Sequence, residues 1–310
     1  MHKLIQKLSK VTMLILAIFT LSACGFPGVT STNSQAIRVA GLSTTEGRII
    51  IEIVKQMIEH ETDLTVDTIN NLGTSVVLHQ AVMNGDADIT SVRYTGTEMA
   101  ATLGMTPDKD PDKAMETVQK IFDEKFDMKY YDSYGFENTY AFMVTQETAD
   151  KLGISKVSDL EKYKDEIDSG FDSQWLIREG DGYPGFVKEY GFELANRHSM
   201  QIGLVYDAVA AGKMDTVLGY STDGRINSYN LVTLEDDRNF FPPYDASPAA
   251  TKEILEKHPE LDELLNRIVG SIDTETMQGL NYTVDHKLKE PAIVAEEFLE
   301  AHNYFREEGA

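Results

Sequence analysis

Hydrophobic positions downstream of residue 36 alternate between short buried runs and helical stripes. The run from Ile37 to Leu42 is typical of a buried strand, and apolar side chains then repeat every three or four residues from Ile50 to Ile58, as on a helix packed on one side. The segment STTE from Ser43 to Glu46 fits a capping box that opens this helix. The pattern continues with a strand at LTVDTIN, a helix between Gly73 and Gly85 and a strand at ADITSVRY. This order predicts a parallel α/β unit with right-handed crossovers.

A similar order returns in the second half of the chain. A second capping box at Ser158 and Glu161 predicts a helix, and the segment from Gln201 to Gly212 predicts another that feeds the strand MDTVLGY. Between this strand and the C-terminal third lies FFPPYD, a loop stiffened by two prolines. The C-terminal third carries apolar residues at helical spacing in three segments, which are Pro259 to Gly270, Thr274 to Tyr282 and Glu290 to His302.

Two stretches of the chain echo each other faintly. HQAVMNGDADITSVRY ends at Tyr94 and YDAVAAGKMDTVLGY ends at Tyr220, and both run from a helix through Gly and Asp into a strand that ends in Tyr. Ligands of open α/β sheets bind at the carboxyl ends of the strands. If the echo is not a chance likeness, it predicts two α/β lobes that each present a tyrosine at that end.

The N-terminal segment has the pattern of a targeting signal. Three lysines precede an apolar stretch from Val11 to Leu21, which is shorter than the roughly 20 residues that span a bilayer. It ends in Leu-Ser-Ala-Cys, which resembles a bacterial lipobox with Cys24 as the lipidated residue. We therefore expect a lipoprotein signal peptide at residues 1–23, and a lipidated N-terminus with an uncharged flexible tether at residues 24–36. The alternatives are a short transmembrane anchor or a buried free thiol.

Composition narrows the classes of function. The chain has 310 residues, enough for one large or two medium domains, and 28 Lys and Arg against 51 Asp and Glu, for a net charge of -23. Such an acidic chain lacks the basic face that nucleic-acid binding needs. The single cysteine excludes an internal disulfide, a CxxC redox pair and a cysteine-based structural zinc site.

No sequence motif for catalysis, metal binding or cofactor binding is intact in this chain. Residues 180–185 match G-x-G-x-x-G, but an acid and a proline within the motif make it a poor phosphate cradle, and we interpret it as a turn. Residues 219–223 lack the closing glycine of a nucleophile elbow. Residues 108–113 begin like a calcium loop but carry Lys where Gly is required. No histidines are paired at metal-ligand spacing. We expect no catalytic residue, no metal and no cofactor.

Tyrosine side chains are the remaining candidates for a functional site. The chain has 14 Tyr and one Trp, and several tyrosines lie beside small or polar residues at strand ends. A tyrosine is usually a core or surface residue with its hydroxyl bonded. The functional alternative is an aromatic cage for a cation that cannot donate hydrogen bonds, such as a quaternary ammonium, where each ring contributes about 0.5–2 kcal/mol.

Segments along nearly the whole mature chain resemble one family, in order. These segments are ST-TE, NNLGTS, RYTGT, YDSYGFENTYAF, GDGYPGF, MQIGLVYDAV, YSTDGRI, FFPPYD and KEPAIVA. Together they resemble the substrate-binding lipoproteins of Gram-positive osmoprotectant ABC importers for choline, carnitine and glycine betaine.

The resemblance implies an α/β architecture of the two-lobed periplasmic-binding-protein type (type II), with two crossover strands between the lobes and a ligand cleft. Lobe I is expected at residues 36–133 and 238–310, and lobe II at residues 134–237. It further implies a non-enzymatic monomer held by its lipid at the outer face of the cytoplasmic membrane. There it would deliver a quaternary-ammonium ligand to a permease with an ATPase subunit.

The family's aromatic cage, carried over position by position, falls on Tyr94 and Tyr244 of lobe I and on Tyr140 and Tyr220 of lobe II. Three further positions complete the predicted site. Thr97 and Asn138 are candidates for a ligand carboxylate or hydroxyl, together with backbone N–H groups at the helix opening after Gly41. Leu42 stands where many relatives carry Gln, so one polar contact is expected to be missing.

Two alternative functions remain at this stage. The same fold could be tuned to a different betaine or another cation. An esterase or transferase acting on choline derivatives would need a nucleophile and a base near the cage, for which Ser221 and a histidine are the only candidates.

Overall fold

Two five-stranded mixed sheets form the framework of the computed structural model, which describes residues 36–178 and 180–306. The predicted signal peptide, most of the tether and Cys24 lie outside the described residues. The strands are β1 (Ile37–Leu42), β2 (Val66–Leu72), β3 (Ile89–Tyr94), β4 (Met128–Tyr130), β5 (Tyr140–Thr145), β6 (Asp168–Asp172), β7 (Asn196–Met200), β8 (Thr216–Tyr220), β9 (Leu231–Thr233) and β10 (Ala246–Thr251).

The helices lie between and after these strands. They are α1 (Thr45–Glu61), α2 (Ser75–Met83), α3 (Thr95–Thr97), α4 (Pro111–Phe126), α5 (Gln146–Leu152), α6 (Tyr183–Tyr190), α7 (Val205–Ala210), α8 (Arg225–Ser228), α9 (Lys252–Lys257), α10 (Glu260–Arg267), α11 (Thr274–Asp285) and α12 (Pro291–Ala301). Among the described residues, no helix is both long and apolar enough to cross a bilayer.

The two sheets have equivalent strand arrangements. The first has the order β2-β1-β3-β10-β4 and the second β7-β6-β8-β5-β9. In the first, β1 pairs in parallel with β2 and β3, which confirms the predicted parallel unit, and β10 runs antiparallel to β3 and β4. In the second, β6 pairs in parallel with β7 and β8, and β5 runs antiparallel to β8 and β9. Each sheet therefore sets an antiparallel strand beside the strand that ends in Tyr94 or Tyr220.

The chain passes between the two sheets twice, at residues 131–139 and 234–245. The two passages run antiparallel and are bonded to each other, with a bridge between Glu137 and Asp245 and the N–H of Asn138 donating to the carbonyl of Tyr244 at 3.1 Å. This arrangement confirms the two-lobed fold with two crossover strands. The lobe boundaries at residues 133 and 237 stay a prediction.

Helix α1 begins one residue later than the predicted capping box implies. Thr44 is the N-cap, and its side chain accepts the N–H of Gly47 at 3.0 Å. The Glu46 side chain does not close a box, because its carboxyl turns into the interior and is 3% exposed. The helix then buries its apolar stripe, including Ile50 and Val54, against the first sheet.

Two helices that the sequence predicts in the second lobe also differ from the observed elements. A 3₁₀ helix spans Val157–Tyr163, where the Ser158 hydroxyl donates to Asp237 at 2.6 Å instead of capping a helix. The predicted helix from Gln201 to Gly212 is reduced to α7 and a preceding 3₁₀ turn.

Each lobe has its own core. The first lobe packs aliphatic residues of β1, β3 and α1, whereas much of the second packs aromatic rings around Trp175, Phe142 and Phe186 beneath β5. Trp175 is fully buried and 6.0 Å from Phe142 and 6.2 Å from Phe186 by ring centroids. This packed aromatic layer lies beneath the strand that carries Tyr140.

Candidate ligand-binding site

A cavity of about 240 Å³ lies where the two lobes meet. Its lining side chains are Tyr94, Thr97, Asn138, Tyr140, Arg178, Tyr220 and Tyr244. All the residues predicted for the site except Leu42 are therefore brought together. Leu42 is buried in the core of the first lobe at the end of β1, 8% exposed, and is not among the lining residues.

Tyr94 and Tyr244 are held together by the turn after β3. Thr95 donates its hydroxyl and Gly96 its N–H to the carbonyl of Pro243, at 3.1 and 3.0 Å. A Cβ on Gly96 would lie 2.6 Å from that oxygen and 3.2 Å from the ring of Tyr244. The glycine thus allows the RYTGT turn and the FFPPYD loop to approach closely.

Tyr140 and Tyr220 stand opposite each other on the adjacent antiparallel strands β5 and β8, so their side chains share one face of the second sheet. Their ring centroids are 5.2 Å apart with an interplanar angle of 32°. Beneath them, the Tyr206 hydroxyl accepts the N–H of Tyr220 at 2.7 Å, and the missing Cβ of Gly219 leaves room for that phenol. The two tilted rings form a concave aromatic wall.

A buried carboxyl lies behind the cavity. The Tyr94 hydroxyl donates to Oε1 of Glu46, and Nδ2 of Asn138 donates to the same oxygen at 3.2 Å. Burial raises the pKa of Glu46, although its hydrogen-bond donors act in the opposite direction. Burial and the neighbouring Glu46 also raise the pKa of Tyr94 well above its usual value, so the phenol stays protonated and acts as the donor.

Arg178 is a lining residue that the sequence reasoning missed. Its Nη2 donates to the Tyr140 hydroxyl at 2.9 Å, and its guanidinium carbon lies 5.4 Å from that ring's centroid. Nη1 is 3.3 Å from Asp181, whose carboxylate also accepts the Tyr244 hydroxyl at 3.4 Å. Arg178 therefore places a partly paired positive charge between Tyr140 on β5 and Tyr244 on the second crossover.

The segment at residues 180–185, which we predicted as a turn, positions this arginine; residues 180–182 are bends, but residues 183–185 already belong to helix α6. The N–H of the Trp175 indole donates to the carbonyl of Asp181 at 2.8 Å, and a Cβ on Gly182 would lie 2.1 Å from the carbonyl oxygen of Arg178. The sequence signal that could have identified Arg178 as a site residue was its position two residues before the GDGYPG segment.

Ser221, the candidate nucleophile, has a structural role in this arrangement. Its hydroxyl donates to the carbonyl of Glu137 at 2.9 Å and accepts the N–H of Thr139 at 3.1 Å, which ties the end of β8 to the first crossover. Within residues 36–178 and 180–306, no group of three or more His, Cys, Asp or Glu residues is arranged to hold a metal ion.

Two α/β lobes joined by two crossover strands, with an aromatic cavity where the lobes meet, define a bilobal solute-binding protein. The family described as the substrate binding domain of ABC-type glycine betaine transport systems matches residues 35–301, and the chain belongs to this family. It is thus the extracytoplasmic substrate-binding component of an ABC transporter, with a small-molecule ligand and a permease partner, and its family is one of transport proteins rather than enzymes.

Individual relatives agree with this assignment. The carnitine transport binding protein OpuCC of Listeria monocytogenes is 51% identical over 305 residues, which cover 98% of this chain and 99% of that protein. The glycine-betaine-binding protein of Pseudomonas aeruginosa is 32% identical over 91% of this chain and 93% of its own. A crystal structure described as a glycine betaine/carnitine/choline ABC transporter is 52% identical, with a TM-score of 0.85 over 87% of this chain and 100% of that chain.

Proposed function

We propose that the protein captures a quaternary-ammonium osmoprotectant such as glycine betaine, carnitine or choline and delivers it to its permease. The observation that carries this proposal is the convergence of four tyrosine rings from both lobes on one cavity of about 240 Å³. We call these residues, Tyr94, Tyr140, Tyr220 and Tyr244, the tyrosine cage.

The tyrosine cage suits a trimethylammonium group. Its methyl groups carry positive charge but no hydrogen-bond donor, so carboxylates and carbonyls cannot satisfy it directly, whereas the negative faces of aromatic rings can. Burial raises the pKa of Tyr244 and that of Tyr220 well above the usual value for a tyrosine. These two phenols are therefore neutral at physiological pH, and their attraction for a cation comes from the ring faces.

The opposite end of the ligand meets polar groups. Arg178 offers a guanidinium to a ligand carboxylate, and such a pair gains geometric specificity from its two parallel N–H donors. Thr97 and Asn138 line the same cavity and suit a carboxylate or a hydroxyl. We expect glycine betaine and carnitine to draw Arg178 away from Tyr140, and choline, which has no carboxylate, to leave it there.

Two features support a fixed location outside the cell. Cys24 follows the basic and apolar segments of a signal peptide in the order of a lipobox, and the family is extracytoplasmic. We propose that Cys24 is lipidated and anchors the protein to the outer face of the cytoplasmic membrane. Release of the Cys24→Ala protein into the growth medium would support this anchor, and retention in the membrane would contradict it.

Calorimetry on single cage variants tests the binding site. Each of the four tyrosines is replaced by Ala, and dissociation constants for glycine betaine, carnitine and choline are compared with wild type. At least two variants should bind about tenfold or more weakly, since one ring face at a desolvated site is worth roughly 1.4 kcal/mol. Tyr229→Ala is the control, because that hydroxyl bonds Asp207 away from the cavity. Fewer than two variants with such weakened binding would contradict the cage.

The mass of the ligand that co-purifies with the protein identifies the natural ligand and also tests the hydrolase alternative. The bonded state of the Ser221 hydroxyl argues against nucleophilic attack. Intact quaternary-ammonium ligand should be recovered after denaturation. A cleaved product would favour the hydrolase.

A further inference from the structure

Glu46 is a buried carboxyl that acts on the cavity without lining it. It lies in the first turn of α1 and is 3% exposed. One carboxyl oxygen accepts two donors, the Tyr94 hydroxyl and Nδ2 of Asn138, and both donors belong to side chains that line the cavity. Glu46 is thus the shared partner of one cage ring and one polar lining residue.

The surroundings of Glu46 offset part of the cost of a buried negative charge, although burial still raises its pKa and its second oxygen, Oε2, has no hydrogen-bond partner among the described residues. Taking a carboxylate out of water is costly, and compensation must come from donors and dipoles. The positive end of the 17-residue helix α1 supplies a dipole in the first turn. Asn138, Thr222 and Asn281 add polar groups from the first crossover, the end of β8 and α11, and each acts to keep the pKa of Glu46 from rising further.

A carboxylate at this place dictates how its neighbours are oriented. Because it only accepts hydrogen bonds, Tyr94 must direct its hydroxyl hydrogen, and Asn138 its amide N–H, away from the ligand and toward Glu46. Oδ1 of Asn138 is left without a partner among the described residues. A phenol that donates to an anion also has a more electron-rich ring, which strengthens its attraction for a cation.

We propose that Glu46 is the positioning residue that makes the tyrosine cage selective for positive charge. Its buried carboxylate orients Tyr94 and Asn138 and sets a negative charge behind the Tyr94 ring. A ligand with a trimethylammonium head is thereby favoured over a neutral ligand of the same shape. This inference rests on the proposed function of the cage.

The test compares two ligands of nearly equal shape, choline and its uncharged carbon analogue 3,3-dimethylbutan-1-ol. For each protein, both dissociation constants are measured, the second by displacement of bound choline. Glu46→Gln keeps an acceptor oxygen and the side-chain size but removes the charge. We expect the preference for choline over the neutral analogue to fall at least fivefold. A merely structural role would weaken both ligands by the same factor and leave the preference unchanged.

Two controls separate charge at this position from charge in general. Glu116→Gln removes one negative charge from an exposed position on α4 and should leave the preference unchanged. Glu46→Asp keeps the charge while shortening the side chain, so its preference should stay nearer to wild type than that of Glu46→Gln. Far-UV circular dichroism and thermal unfolding establish that each variant is folded.

A second measurement uses choline alone and does not need the neutral ligand to bind. Tyr94→Phe removes the hydroxyl that connects the ring to Glu46 and leaves the ring in place. If the carboxylate acts through that hydroxyl, Glu46→Gln should cost at least threefold less affinity in the Tyr94→Phe protein than in wild type. Additive losses, or an unchanged preference in a folded Glu46→Gln protein, would overturn the inference. Failure of the wild type to bind any quaternary ammonium would instead overturn the proposed function.

Discussion

At the scale of single residues, the cavity depends on close approaches that only small side chains permit. Gly96 is the clearest case, because its N–H reaches the Pro243 carbonyl and its missing Cβ leaves the Tyr244 ring in place. Gly219 does the same for the Tyr206 phenol beneath Tyr220. The tyrosines supply the binding surface, and these glycines decide whether rings from distant segments can meet.

Gly96→Ala should therefore weaken ligand binding. The new Cβ would lie 2.6 Å from the Pro243 carbonyl oxygen, so backbone must move and Tyr244 must move with it. We expect at least a tenfold rise in the dissociation constant for glycine betaine by calorimetry, and a loss of about 1–3 kcal/mol in the free energy of unfolding, as for other overpacked sites. Gly73→Ala is the matched control, since nothing lies within 4 Å of the place that its new methyl group would occupy. Equal affinity of the two variants would contradict this account.

At the scale of elements, charged side chains from distant parts of the chain meet at the C-terminal end of α1. Glu61 accepts Nη1 of Arg267 on α10 at 3.2 Å and Nη2 of Arg306 at 2.6 Å. Burial acts to raise the pKa of Glu61, but hydrogen bonds from Arg306, His60 and Arg267 outweigh it and lower the pKa from 4.5 to about 2. This carboxylate therefore joins α1 to α10 and to the C-terminal segment.

The lowered pKa predicts how stability depends on pH. The folded state holds the Glu61 proton less tightly than the unfolded state, so its contribution is complete above about pH 4.5 and declines as the pH falls toward about 2. Glu61→Gln should lower the free energy of unfolding at pH 7, and the difference from wild type should shrink between pH 4.5 and pH 3. Urea denaturation at pH 7, 4.5 and 3 measures this.

Glu263→Gln is the control for this experiment, because that carboxylate also pairs with Arg267 but its side chain is 80% exposed. Exposed pairs contribute about 0–1 kcal/mol, so this variant should stay close to wild type at every pH. A Glu61→Gln difference that is constant from pH 7 to pH 3 would mean that Glu61 stabilises the fold by packing rather than by charge.

At the scale of the whole molecule, the two-lobed architecture could be predicted from the sequence. The contacts between the lobes could be predicted only in part. The buried strands β1 and β3 lie where the sequence pattern predicts strands, and the resemblance to known transport proteins brought the four tyrosines together. Local patterns were less reliable where long-range bonds compete, as when Ser158 binds Asp237 rather than capping a helix. Arg178 and Glu46 were missed as site residues because their roles depend on partners such as Tyr140 and Asn138, 38 and 92 positions away.

The same scale raises the question of what holds the two lobes together around a ligand. Besides the crossover strands, an ion pair joins them across a neighbouring cavity of about 790 Å³, where Lys109 of the loop before α4 lies 3.3 Å from Glu189 of α6. Both side chains are over 40% exposed, and pairs so exposed contribute about 0–1 kcal/mol. The cage rings, which a bound cation would contact from both lobes, each contribute about 0.5–2 kcal/mol. Closure should accordingly be driven by the ligand rather than by this ion pair.

Lys109→Ala should thus change the dissociation constant for glycine betaine less than about fivefold, which corresponds to about 1 kcal/mol. Small-angle X-ray scattering should show the same decrease in radius of gyration on ligand binding in this variant as in wild type. Tyr140→Ala, with its ring removed from lobe II, should lose both the affinity and the decrease. A Lys109→Ala protein that binds more than tenfold weaker, or no longer contracts, would show that the ion pair closes the lobes. The ligand would then only occupy a space that the protein itself had formed.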